Sequence, residues 1–144
     1  MKYRAKGKLV NHKYQVLIHD TRGHSSVMDL PKDMGGHDTG GSPLDFVTEA
    51  LAGCTVIVFQ MIAQKMKVKV NDMKVIVTAE KGELTLESAK VKVVVDSPAD
   101  EGILQQILEK TEEQCPVGAI LEKAGIPEKM ELVVQNREEF CEDS

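Results

Sequence analysis

The sequence has no tryptophan and only five aromatic residues, Tyr3, Tyr14, Phe46, Phe59 and Phe140. It has no basic excess either: 18 Lys and Arg stand against 23 Asp and Glu, a formal charge of -5. Nucleic-acid binding draws on a basic stripe for the phosphates and on rings for stacking. Both are missing, and that class of partner is set aside. The three cysteines, Cys54, Cys115 and Cys141, are an odd number and too few for a stapled extracellular framework. No secretory h-region precedes the first strand-like segment, and the expectation is a cytoplasmic protein. There thiols stay reduced, so each cysteine is either an inert core residue or a chemical one.

Metal and phosphate chemistry lack their patterns as well. His12, His19, His24 and His37 show no i, i+4 pairing and no Cys-x-x-Cys companion, so no metal is expected, with a site built from His24, His37 and a cysteine as the minor alternative. The pairs Gly35-Gly36 and Gly40-Gly41 have neither a following Lys-Ser/Thr nor dinucleotide-binding spacing, and no Gly-x-Ser-x-Gly elbow occurs. No cofactor is implied.

What is present is one domain's worth of globular material: 144 residues, 42% apolar and 28% charged. Residues 3–10 and 14–20 read as strands around an Asn11-His12 turn, and residues 24–30 continue them after Arg22-Gly23. Residues 31–41 hold four glycines, so the backbone there must bend sharply or approach something closely. Ser42-Pro43-Leu44-Asp45 then reads as a helix start, with Ser as N-cap, Pro at the first position and Asp as the capping-box acceptor.

The helix that follows runs to about Met66, and between Phe46 and Ala63 its only charge is Glu49. A helix apolar on nearly every face is buried or spans a membrane. A span needs about twenty apolar residues. This stretch is shorter and includes Thr48, Thr55 and Gln60, so burial is expected and a membrane is not. Alternating apolar residues over 68–80 and 84–96 predict two strands joined at Lys81-Gly82. Ser97-Pro98-Ala99-Asp100 repeats the earlier cap, a short helix begins near Cys115-Pro116, and residues 129–134 form a last strand before a polar tail. The class is α+β.

Cys54 lies within the apolar helix, in Ala50-Leu51-Ala52-Gly53-Cys54-Thr55. A small buried hydrophobe is the ordinary role of such a cysteine. Gly53 beside it costs about 1 kcal/mol relative to alanine in a helix, a sign of close approach by another group. At about 100° per residue, Glu49 points roughly 140° and Asp45 roughly 180° from Cys54, so a group that activates the thiol must come from elsewhere. Cys115 directly precedes a proline at a helix start, where free N–H groups and the helix dipole lower a thiol pKa. Arg22, on a turn in a chain with three arginines, could donate to a thiolate or a peroxide oxygen while staying charged; an exposed turn arginine is the equally available structural role. Cys141 sits among Glu138, Glu139, Glu142 and Asp143, which dull a thiol, and is given no role.

Together, Gly23-His24 through Met28-Asp29, the run Gly35-Gly36-His37-Asp38-Thr39-Gly40-Gly41-Ser42-Pro43, Ala50 to Thr55, and Cys115-Pro116-Val117 resemble the OsmC/Ohr family of osmotically inducible and organic-hydroperoxide-resistance proteins. The resemblance covers nearly the whole chain, residues 1–144, as a single OsmC-like domain. It implies antiparallel sheets wrapped around a long central helix, in an intertwined homodimer. It also implies that Cys54 and Cys115 are the peroxidatic and resolving cysteines, and that organic hydroperoxides are the substrate. The reductant would be an external dithiol, often lipoyl-linked in this family. Arg22 falls where the organic-hydroperoxide branch carries its arginine. Where that branch has a glutamate, this chain has Leu44, which places it nearer the OsmC-like branch. The Leu44 departure and the apolar helix keep a second function open, a non-enzymatic dimeric module that binds a small molecule or lipid.

Overall fold

The computed structural model describes residues 1–11 and 13–142, so the Asn11-His12 turn lies partly outside the described residues. It forms two compact units, Met1–Val47 and Thr48–Ser144.

The first unit contains β1 (Ala5–Leu9), β2 (Val16–Asp20) and β3 (Ser25–Met28), paired antiparallel in sequence order. The glycine-rich loop that follows folds back on β3. Met28 bridges Gly41, and the buried Asp29 carboxylate gathers the loop by accepting from the Thr39 hydroxyl at 2.6 Å and from the amides of His37 and Thr39. The Thr39 hydroxyl leads the contacts that hold the Asp29 carboxyl below the usual carboxylate range. A Cβ on Gly36 would run into the Leu30 carbonyl and one on Gly40 into the Val27 carbonyl, which explains why this segment needs glycine.

Helix α1 (Pro43–Lys65) opens as its sequence predicts. Ser42 donates its amide and hydroxyl to Asp45 Oδ2, and the Asp45 amide returns a bond to the Ser42 hydroxyl at 3.3 Å. This is a reciprocal cap that satisfies donors the first turn would otherwise leave open.

The second unit holds the core. β4 (Asp72–Lys81) and β5 (Leu86–Asp96) form an antiparallel hairpin closed by the Gly82 amide on the Thr85 carbonyl. Along β5, Ala89, Val91, Val93 and Val95 alternate onto one face. Against them pack Leu51, Phe59, Ile62 and Ala63 of α1, spaced on one side of the helix. Leu104, Ile107 and Leu108 of α2 (Glu101–Gln114), with Leu121 of α3 (Pro116–Lys123), complete the cluster.

Four features differ from the sequence reading. β6 (Glu128–Val134) pairs with β5 in parallel, because the chain crosses over through α2 and α3 before returning. Helix α2 begins at Glu101 rather than at Pro98: the Ser97 hydroxyl bonds the Lys69 carbonyl at 2.6 Å and the Ala99 amide, tying strand ends together in place of capping. The polar tail forms α4 (Arg137–Glu142), which lies against β5 with Phe140 buried and Lys74 Nζ 4.6 Å from its ring centroid.

The fourth concerns α1, which buries one stripe in this chain and leaves Ile57 61% and Met61 51% exposed. By length and composition α1 could cross a membrane, yet Leu51, Phe59, Ile62 and Ala63 are packed in the protein core.

Candidate functional site

The stripe that α1 buries sets the direction of Cys54. Leu51, Thr55 and Phe59 point into the core, and Thr55 ties its hydroxyl to the Leu51 carbonyl at 2.8 Å. Cys54, three residues after Leu51, falls on the edge of that stripe, half-buried and packed against the core cluster. The open face beside it includes Gly53, where an added Cβ would meet nothing within 4 Å among the described residues. The close approach expected at Gly53 is therefore not made among the described residues.

Cys115 occupies the joint between two helices, ending α2 through its amide on the Thr111 carbonyl and capping α3 with its sulfur. Pro116 takes the first position of α3, where no donor is lost, and the Gly118 amide donates to Cys115 Sγ at 3.4 Å. Cys115 is only 1% exposed. Its thiol donates to Cys54 Sγ, with the two sulfurs 3.0 Å apart, although 61 positions separate them in the chain. Both are free thiols. A disulfide bond is about 2.05 Å long, so joining them asks for a shift on the order of 1 Å.

The local electrostatics reverse one expectation. A helix start lowers a thiol pKa, and the amides of Gly118 and Val117 do act in that direction on Cys115. Burial outweighs them, with the bond to Cys54 adding to it, and together they push the Cys115 thiol up to about 11. Its hydrogen stays on sulfur at neutral pH, directed at Cys54.

Arg22 belongs to the first unit, on the exposed turn between β2 and β3, with its side chain 80% exposed and Nε 3.5 Å from Asp20 Oδ2. Asp20 also holds the His24 ring nitrogen Nδ1 at 2.7 Å and the backbone amides of Arg22 and His24. The bond to His24 leads the contacts that hold the Asp20 carboxyl far below the usual carboxylate range. Cys141 is exposed. Among the described residues no group of three or more His, Cys, Asp or Glu is placed to hold a metal ion.

One neighbour of the thiol pair carries no signal in the sequence. Glu128, the first residue of β6 and one position before the strand the sequence predicts, brings Oε2 within 3.2 Å of where a Cβ on Gly118 would sit. Burial first, and the Glu112 carboxylate second, raise its pKa.

The sequence profile of OsmC-like proteins matches residues 36–131, from inside the glycine-rich loop to β6 and across both cysteines. The chain belongs to the OsmC-like family. Comparison with curated proteins gives no match. Among solved structures, an OsmC-like protein from Mycoplasma pneumoniae superposes with a TM-score of 0.82 at 16% identity, covering 93% of this chain and 97% of its own. An organic hydroperoxide resistance protein OsmC from Legionella pneumophila gives 0.68 at 15% identity, with 94% and 97% covered. One from Elizabethkingia anophelis, crystallised with thiocyanate bound, gives 0.69 at 16% identity, with 95% and 97% covered. At such identities the likeness establishes the OsmC-like α+β fold.

Proposed function

We propose that this OsmC-like protein is a two-cysteine peroxidase that reduces organic hydroperoxides to alcohols, and the observation that carries the reading is the 3.0 Å contact between Cys54 and Cys115. The half-buried Cys54 attacks as a thiolate on the outer peroxide oxygen. The O–O bond breaks, the alkoxide leaves with a proton as alcohol, and Cys54 becomes a sulfenic acid. Cys115 then attacks the Cys54 sulfur; the S–O bond breaks, water leaves, and the disulfide forms.

An external dithiol, lipoyl-linked by family analogy, restores both thiols. Its first attack falls on Cys54, because Cys115 is almost fully covered. Arg22 is the proposed cation of the site, since a guanidinium stays charged when desolvated. The chain acts as a single OsmC-like domain in a cytoplasmic homodimer, whose second copy covers the exposed Ile57 and Met61 of α1.

Coupled consumption assays with dihydrolipoamide test the reading. Cumene and tert-butyl hydroperoxide are expected to be turned over faster than hydrogen peroxide, because apolar residues of α1 flank Cys54. Absence of turnover with all three would refute the enzymatic role. An apolar ligand co-purifying with unreactive thiols would then favour the binding-module alternative.

A further inference from the structure

An open cavity of about 850 Å³ is lined by Glu109, Glu112, Glu113, Glu122, Glu128 and Gly118 among others, and the Gly118 amide donates to Cys115 Sγ. Glu128 stands apart in this set. Its Oε1 is buried without a hydrogen-bond partner among the described residues. The point that a Cβ on Gly118 would occupy is 3.2 Å from Glu128 Oε2 and 3.6 Å from Cys115 Sγ. The Glu128 carboxyl and the Cys115 thiol therefore both border the space that a side chain at residue 118 would fill. A water bridges polar groups across such a gap at little cost.

We propose that Glu128 is the proton-exchange partner of Cys115, acting through the gap at Gly118, and this rests on the two-cysteine redox cycle above. During disulfide formation the Glu128 carboxylate takes the proton from the Cys115 thiol as the sulfur's electron pair attacks Cys54. It then returns that proton to the departing hydroxide, so water leaves and no net proton is consumed. During reduction the order reverses. A dithiol thiolate attacks Cys54, the S–S bond breaks, and Cys115 leaves as a thiolate that takes its proton from protonated Glu128.

Cys115 needs this help more than most thiols, since burial keeps it protonated at neutral pH. The raised pKa of Glu128 brings the carboxyl closer to the operating pH, where acid–base exchange is most effective. The charged groups sharing the cavity with it are Glu109, Glu112 and Glu113 on α2 and Glu122 on α3, and the titratable Cys115 thiol caps α3. On β5 its register partner is Ala89, which carries no charge. The charged side chains lining this cavity are all acidic, and the Glu112 carboxylate adds to burial in keeping the Glu128 proton in place.

The test is reduction of the protein's disulfide form, prepared with diamide, by dithiothreitol from about pH 5 to 8, with rates expressed per dithiothreitol thiolate. The wild-type rate is expected to be highest at low pH, where Glu128 is protonated, and to fall as pH rises through its pKa. Glu128→Gln should flatten the profile and lower the low-pH rate roughly tenfold or more. Gly118→Ala, which keeps the carboxyl but fills the gap, should flatten it too. Glu128→Gln is expected to melt no lower than wild type at neutral pH, because it removes a carboxylate whose ionisation burial disfavours.

A second arm measures dimedone capture of the Cys54 sulfenic acid after one equivalent of cumene hydroperoxide; capture should rise in Glu128→Gln. A wild-type profile in Glu128→Gln would overturn the proposal. Wild type that forms no sulfenic acid would instead overturn the peroxidase reading, while the dithiothreitol arm still decides Glu128.

Discussion

Replacing Cys54 with serine is expected to lower hydroperoxide consumption by at least about 10³-fold, to the level of free dithiol alone. Serine keeps the size of the side chain and its place at the edge of the α1 stripe, so folding should be little changed. What it loses is the sulfur nucleophile, since a hydroxyl holds its proton far more firmly than a thiol and attacks an O–O bond far less readily. Cys115→Ser separates the steps: the first equivalent of hydroperoxide should still be consumed, after which Cys54 persists as a sulfenic acid and drifts to irreversible sulfinic acid with excess oxidant. Turnover assays and intact-mass spectra of the three proteins distinguish these outcomes. Equal consumption by wild type and Cys54→Ser would rule out Cys54 as the attacking group.

Phe59→Ala is expected to cost about 3–5 kcal/mol of stability. Phe59 has no exposed surface and is the largest fully buried side chain among the described residues, packed in the cluster that α1 shares with the inward valines of β5. Against a total of about 5–15 kcal/mol for a typical domain, this is a large share. The midpoint of urea unfolding should fall with little change in slope, at fixed protein concentration because a homodimer is proposed. Phe59 also fixes the same helical stripe as Leu51 and Thr55, whose placement aims Cys54 at Cys115. A variant still folded at low temperature should therefore form the disulfide more slowly. A loss under about 1 kcal/mol would mean that the α1 stripe is not the anchor of this core.

The sequence carries the parts of this arrangement governed by local rules. Alternation along 84–96 marks β5, and the Ser42–Asp45 cap appears as the residues predict, because both depend on neighbours in the chain. Ser97-Pro98-Ala99-Asp100 has the same letters and a different outcome. There the competing partner, the Lys69 carbonyl, comes from 28 positions away, and no local pattern can announce it. The last helix was hidden because its single buried side chain, Phe140, makes no periodic stripe.

At the site, neither cysteine reveals the other by spacing; they were paired through the family resemblance alone. The 3.0 Å contact arises from the packing of α1 against the α2–α3 joint, a long-range property. The direction of the Cys115 pKa is not legible in the sequence for a related reason. The helix start is visible in Cys115-Pro116, but the burial that outweighs it depends on what covers the sulfur. Glu128 was invisible because only the parallel return of β6 brings it opposite Gly118. The cue that was available is Gly118 itself, three residues after a helix-capping cysteine, where a missing side chain leaves both an amide and an opening.

The most direct measurement is peptide mapping by mass spectrometry after one equivalent of cumene hydroperoxide is added to the reduced protein, with free thiols alkylated at quench. A single new cross-link joining the peptides that carry Cys54 and Cys115, formed together with one equivalent of cumyl alcohol and with Cys141 still alkylated, is the expected result. Alkylated Cys54 and Cys115 beside unconsumed peroxide would contradict it.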